Sequence, residues 1–147
     1  MKATRSVVIS MRLPEVTGTR LKRLASARGW TNSDASARLV EEGLRRSEFA
    51  FIDFRDSSVG RQASLQGSSL AVWEVVLLIR AYNGGISAVA THLRWPNSKV
   101  QAAANYAAAF PQEIEEALSE NANVGLENLK RPLPQAEEYT ARAKSKA

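Results

Sequence analysis

The run Ser6-Val7-Val8-Ile9-Ser10-Met11-Arg12-Leu13-Pro14 decides how the rest of the chain is read. Up to Leu13 it alternates. Val7, Ile9, Met11 and Leu13 fall on one face, and Ser6, Val8, Ser10 and Arg12 on the other. Period-two patterning of this kind predicts a half-buried β-strand. Nothing nearby reads as its hairpin mate, yet its backbone N–H and C=O groups need partners. The simplest solution is the same strand from a second copy, running antiparallel about a two-fold axis.

Two helices are expected to follow. Pro14 opens the first, where its missing N–H is harmless, with Glu15 beside it at the positive end of the helix dipole. Leu21, Leu24 and Ala25 supply the apolar stripe. Gly18 weakens the first turn by about 1 kcal/mol against Ala, and Gly29 is placed to end the helix. Thr31 then caps a second helix, with Asp34 three residues on and Trp30 and Ala35 at the staple positions. This helix runs to about Arg46 and is expected to bury Ala35, Leu39, Val40 and Leu44 or Gly43. Glu41–Arg45 and Glu42–Arg46 are i,i+4 pairs in the favourable order.

Charge is concentrated in the same region. Residues 1–48 hold ten Lys and Arg against five acids, a net of +5, which equals the net charge of all 147 residues. A concentrated basic segment is the electrostatic footprint of a phosphate binder. A unit of this length buries too little apolar surface to fold alone, so it is expected to exist as a dimer. There is no cysteine, which excludes disulfides, Cys-ligated zinc and thiol chemistry. Nothing resembles a signal peptide, and no apolar run approaches the roughly 20 residues that span a bilayer. A cytoplasmic location without membrane contact is expected.

The middle of the chain reads as a small two-stranded element leading into helices. Phe49 to Phe54 is strongly β-prone, with Phe49, Phe51 and Asp53 on one face and Ala50, Ile52 and Phe54 on the other; a second short strand is expected around Ala63 to Leu65. Leu70 to Tyr82 is apolar almost all round, broken by Glu74 and Arg80, and such a helix is buried on every side. Asn83-Gly84-Gly85 ends it. Ser87 is expected to cap a short helix over 88–93, Arg94-Trp95-Pro96-Asn97 to turn into another over 98–109, and Pro111 to open a last one that buries Ile114, Ala117 and Leu118. Short helix, tight turn and longer helix make a helix-turn-helix.

Three quoted stretches carry a resemblance: Ile9-Ser10-Met11-Arg12-Leu13-Pro14, the Gly29-Trp30-Thr31-Asn32-Ser33 corner, and Arg38-Leu39-Val40-Glu41-Glu42-Gly43-Leu44. Together they resemble the ribbon-helix-helix DNA-binding domain of the Arc, MetJ and CopG type. That resemblance implies a paired ribbon lying in the major groove. Val8, Ser10 and Arg12 would then meet base edges, Arg12 as a bidentate donor to guanine and Val8 against a thymine methyl. Val8 stands where that family usually carries a polar residue. Lys2, Arg5, Thr31, Asn32 and Ser33 would contact phosphates, the last three through the start of the second helix.

A second resemblance covers about residues 51–118. Gly60-Arg61, Gln66-Gly67-Ser68, Val72-Trp73-Glu74-Val75-Val76, Gly85-Ile86-Ser87, Val100 to Ala107 and Phe110-Pro111-Gln112-Glu113-Ile114 resemble a helix-turn-helix family, domain of unknown function 433, that accompanies VapB-like antitoxins. Ser98, Lys99, Gln101 and Asn105 form a candidate second DNA site on its recognition helix. Residues 49–121 carry five basic and seven acidic side chains, a net of −2, which favours a dimerisation or partner-docking role instead.

The resulting expectation is a mainly α protein: a ribbon-helix-helix of one strand and two helices over 1–48, an obligate dimer; a helix-turn-helix domain of about four helices and one or two short strands over 49–121; and a flexible or partner-binding tail over 122–147. Its implied role is antitoxin and autorepressor in a type II toxin–antitoxin system, a homodimer or higher even-numbered oligomer on operator DNA. The cognate toxin, with a PIN-like ribonuclease as candidate, would be held by Leu126, Leu129, Lys130, Arg131 and Leu133. The alternative is a free-standing transcriptional regulator without a toxin. No enzyme, cofactor or metal is expected. His92 is the sole histidine, Asp53, Asp56 and Glu74 could form a carboxylate pair but read as a solvated loop and helix surface, and Gly84-Gly85 lacks the companions of a phosphate-binding loop.

Overall fold

The computed structural model describes residues 5–57 and 60–121. Among them are six helices and one two-stranded antiparallel hairpin, in the order α1 (Glu15–Arg28), α2 (Asn32–Glu48), β1 (Ile52–Ser57), β2 (Gly60–Leu65), α3 (Val72–Ala81), α4 (Ile86–Leu93), α5 (Asn97–Ala109) and α6 (Pro111–Glu120). The chain divides into two compact units, residues 1–41 and 42–147, so the boundary falls within α2.

In the first unit, residues 5–14 have no regular secondary structure and are exposed. The strand expected over Ser6–Leu13 is not formed in the single chain, and the one sheet lies in the middle of the sequence instead. The physical reason is that a strand is a paired state: its backbone groups gain nothing from extension until a second strand accepts them. α1 begins beside Pro14, whose carbonyl accepts from Gly18 N–H at 2.9 Å. It ends at Gly29, whose left-handed backbone (φ 67°) lets Trp30 N–H return to Ala25 O at 2.8 Å. Thr31 Oγ1 accepts from Asp34 N–H at 3.0 Å, the cap expected for α2. Ala25 and Ala35 are buried as expected. Leu39, Val40 and Leu44 are not: in the single chain they stay exposed, with no described residue covering them.

In the second unit the hairpin pairs Ile52 with Leu65 through Ser57 with Gly60. Its first strand starts later than the aromatic run suggested. Phe51 takes a left-handed conformation (φ 61°), which breaks extension, and Phe49 leaves the sheet to stack on Tyr106 and Phe110 at 5.4 and 5.7 Å. Ile52, Ala63 and Leu65 turn the hairpin's apolar side to the core. Val72, Trp73, Val75, Val76 and Leu78 of α3 are buried, but Glu74, Leu77 and Ile79 are half-buried and Arg80 and Ala81 exposed, so the helix is a core element without being covered on every side as expected. α4 starts at Ile86 with Gly85 ahead of it, not after Ser87. Glycine suits the turn, since a Cβ on residue 85 would lie a tight 3.1 Å from Tyr82 O. Ser87 thereby falls inside the helix, where its Oγ accepts from Asn97 Nδ2 at 3.1 Å. α6 opens on Pro111 and buries Ile114, with Ala117 and Leu118 half-buried.

A polar cluster ties the end of α2 to α5 and α6. Arg45 Nη1 donates to Tyr106 Oη at 2.5 Å and to Glu113 Oε1 at 2.8 Å, while Tyr106 Oη donates to Glu113 Oε2 at 2.6 Å. The guanidinium also covers the Phe110 ring at 3.8 Å. Burial and the Glu113 carboxylate hold the Tyr106 phenol well above its ordinary range. The expected Glu42–Arg46 pair gives way to longer reaches: Arg46 binds Asp53, and Arg61 binds the buried Glu42. A carboxylate taken out of water gains more from a cation delivered by packed structure than from a mobile neighbour one turn away.

Glu74 Oε1 accepts from Ala71 N–H at 3.1 Å and so closes the first turn of α3; Ala71 has no side-chain oxygen to return the bond, and its carbonyl accepts from Glu74 N–H at 3.1 Å instead. Burial raises the pKa of this carboxyl above its ordinary 4.5, the hydrogen bond opposing it. The folded state therefore binds its proton more tightly than the unfolded state, and this group lowers stability as pH rises from about 4.5 through its folded value. Glu74→Gln keeps the acceptor without the charge. Thermal melts should place the variant above the wild type at pH 7 and equal to it well below pH 4.5.

Candidate nucleic-acid interface

Val8, Ser10, Arg12 and Arg5 lie together in the extended N-terminal segment, and all four are exposed, Val8 at 93%. Their neighbours Val7 and Ile9 are 81% and 78% exposed, and Met11 and Leu13 are open as well. Both faces of the alternation are thus solvated in the single chain. Lys2 lies outside the described residues.

Thr31, Asn32 and Ser33 are exposed at the start of α2. The Thr31 side chain is committed to Asp34 N–H and its carbonyl to Ala35 N–H at 3.0 Å, so Thr31 shapes the corner more than it offers a free hydroxyl. Asn32 and Ser33 supply first-turn amides at the positive end of a 17-residue helix. Trp30 adds something not read from its position alone. Its ring meets two guanidinium groups, Arg38 at 4.6 Å from the centroid and Arg28 at 5.6 Å. Two cations thus flank the aromatic corner ahead of α2. Arg28 and Arg38 stand two residues before and eight after Trp30, and only the folded corner brings both to one ring. Among the described residues 5–41, seven Lys and Arg stand against three acids.

The candidate second site lies in the other unit. Ser98, Gln101 and Asn105 are exposed on α5, and Gln101 Nε2 donates to Asn105 Oδ1 at 2.9 Å. Lys99 is half-buried, its ammonium 4.2 Å from the Trp95 ring centroid, and burial lowers its pKa. The carboxylates that catalysis would need have structural partners: Asp53 binds Arg46 and Phe54 N–H, Asp56 binds Arg61, and Glu74 caps α3. Backbone and Arg46 contacts lower the Asp53 pKa. His92 stacks on Tyr82 at 5.7 Å, and burial lowers its pKa. Among the described residues no three His, Asp or Glu are grouped to hold a metal, and no single helix is long and apolar enough to cross a membrane.

A shallow cavity of about 170 Å³ opens between Trp73, Ile114 and Ala117, with Glu113, Glu116 and Glu120 on its rim. None of the candidate DNA residues lines it, and its carboxylates repel a phosphate. Leu126, Leu129, Lys130, Arg131 and Leu133, the residues assigned to toxin binding, lie outside the described residues. Comparison of the chain with protein-family models, with curated proteins and with solved structures returns no match.

Proposed function

We propose that this protein is a dimeric, operator-binding repressor in which the N-terminal segments of two copies pair as an antiparallel ribbon and read duplex DNA, with an antitoxin role for the remainder. The observation that supports this most is the state of residues 7–13. An alternating run leaves Val7, Ile9, Met11 and Leu13 in water, beside an α2 that also leaves Leu39 and Val40 open. Apolar surface of this extent on so small a unit marks an interface. A second copy brings the same surface and the missing backbone partners at once. Pairing would leave Val8, Ser10 and Arg12 on the outward face, surrounded by the basic residues of the unit.

Sedimentation equilibrium of the full chain should give a dimer, and a monomer would end this reading. Arg12→Ala should relax base preference at one operator position and cost about 1–3 kcal/mol on the best operator. Unchanged affinity in a titration at fixed salt would remove Arg12 from base readout. The antitoxin half of the proposal is tested by co-purification with the product of an adjoining reading frame. Loss of that product on deletion of residues 119–147 supports it, whereas a protein that purifies alone and still represses is a free-standing regulator.

A further inference from the structure

The net of −2 over residues 49–121 hides how the charges are placed. All seven acids stand on β1, in the first turn of α3 or on α6. From Val75 through Gln112 the sequence has no acidic residue. That span contains α4, the turn Arg94-Trp95-Pro96 and α5, and its Lys and Arg residues are Arg80, Arg94 and Lys99. Arg80 is paired with Glu115 of α6. Arg94 and Lys99 form no ion pair among the described residues, so the α4–α5 side of the net-acidic 49–121 segment carries two cations that no carboxylate neutralises.

The same side is built to present them. α3 and α4 meet at 117°, and α5 packs on both, with Val89, Leu93, Val100, Ala103 and Tyr106 buried. Asn97 of α5 is bonded to Ser87 of α4, which fixes the start of the longer helix against the shorter one. Outward on α5 this leaves Ser98, Gln101 and Asn105, at i, i+3 and i+7, with the two amides held to each other. Lys99 is steadied against Trp95. Arg94 closes α4 in the left-handed region (φ 59°), a position where glycine avoids a cost of about 1–2 kcal/mol. A long cation held there at a backbone penalty projects from the corner itself.

We propose that the α4–α5 corner is a second duplex-DNA contact, in which Arg94 and Lys99 meet phosphates while Ser98, Gln101 and Asn105 face base edges in the major groove. A three-residue turn into a 13-residue helix with an amide-bearing outer strip suits a groove better than a flat protein surface. The contact is independent of the N-terminal ribbon, and either can fail alone.

The test uses the full-length dimer and a duplex that it selects from a random-sequence pool. Arg94→Gly with Lys99→Gln removes both charges. The glycine also relaxes the left-handed backbone, and a thermal melt no lower than wild type excludes misfolding as the cause of lost binding. For one such contact per protomer, operator affinity should fall about tenfold or more, and the slope of log affinity against log salt should shrink by about 2 or more, near 0.9 per phosphate lost. Hydroxyl-radical protection should shorten at the operator's ends. If melting falls instead, Gln101→Ala with Asn105→Ala takes its place, with altered base preference as the expected readout. Unchanged affinity, salt slope and protection would overturn the second contact while an Arg12→Ala loss upheld the ribbon. Loss in the α4–α5 variant with none in Arg12→Ala would uphold the corner and remove Arg12 from the ribbon's readout. Failure to recover any duplex would overturn both.

Discussion

An Ile9→Lys exchange is expected to turn the dimer into a monomer and to weaken operator binding about a hundredfold or more, while the unit beginning at residue 42 keeps its own melting transition. In the single chain Ile9 is 78% exposed, so the substitution gives up little intramolecular burial. In the proposed ribbon it lies on the covered face. Two ammonium groups would then be driven into an apolar interface about the two-fold axis, each without a carboxylate to meet it. An unpaired buried charge costs several kcal/mol, and about 2.8 kcal/mol already corresponds to a hundredfold in the association constant. Sedimentation equilibrium reads the loss of dimer, and an operator titration reads the loss of binding. Val8→Thr, on the opposite face, should leave the dimer intact. A dimer that survived Ile9→Lys would be held together by some other surface.

Tyr106→Ala is expected to cause the largest loss of stability in the second unit, about 3–5 kcal/mol. Tyr106 is fully buried and is the largest of the wholly buried side chains. It packs against Phe49 and Phe110, at 5.4 and 4.8 Å between ring centroids, and holds the Arg45–Glu113 cluster together. Tyr106→Phe separates the ring from the hydroxyl. Arg45 and Glu113 still meet directly at 2.8 Å, so this variant should lose only about 1 kcal/mol, a drop of about 4–8 °C in a domain of this size. The two variants also differ in alkali. The phenol pKa is higher in the folded state than its ordinary value of 10.0. Its contribution is therefore fully present below about pH 10 and is lost as pH rises further. Tyr106→Phe should lack that alkaline decline. Equal melting of the Phe and Ala variants would mean that the ring carries no packing energy.

Much of the fold could be read from pattern because the signals were local. Thr31 with Asp34 and Gly29 at the end of α1 satisfy backbone groups within one turn, and Pro111 at the start of α6 removes a donor that would lack a partner there; each is so placed in the structure. The apolarity of Leu70–Tyr82, broken only by Glu74 and Arg80, placed α3 in the core, since so few polar positions leave little of the helix to give to water. The hairpin was legible from β-prone residues on either side of the Gly60 region. Its start was not, because the stacking of Phe49 on Tyr106 joins residues 57 positions apart.

The candidate interface divides the same way. The sequence alone determined the alternating run at residues 6–13, the concentration of positive charge before residue 48 and the absence of acids between residues 75 and 112. Those are properties of composition and order, and no folding changes them. Tertiary structure alone decided that Arg45 and Arg46 serve Glu113 and Asp53, that Glu42 is buried against Arg61, and that Arg28 and Arg38 share the Trp30 ring. It also decided that Leu39, Val40 and the apolar face of the N-terminal run remain uncovered in one chain. The reason is that ion pairing and burial depend on which distant surfaces the chain brings into contact, and a strand without a neighbour has no surface of its own to close against.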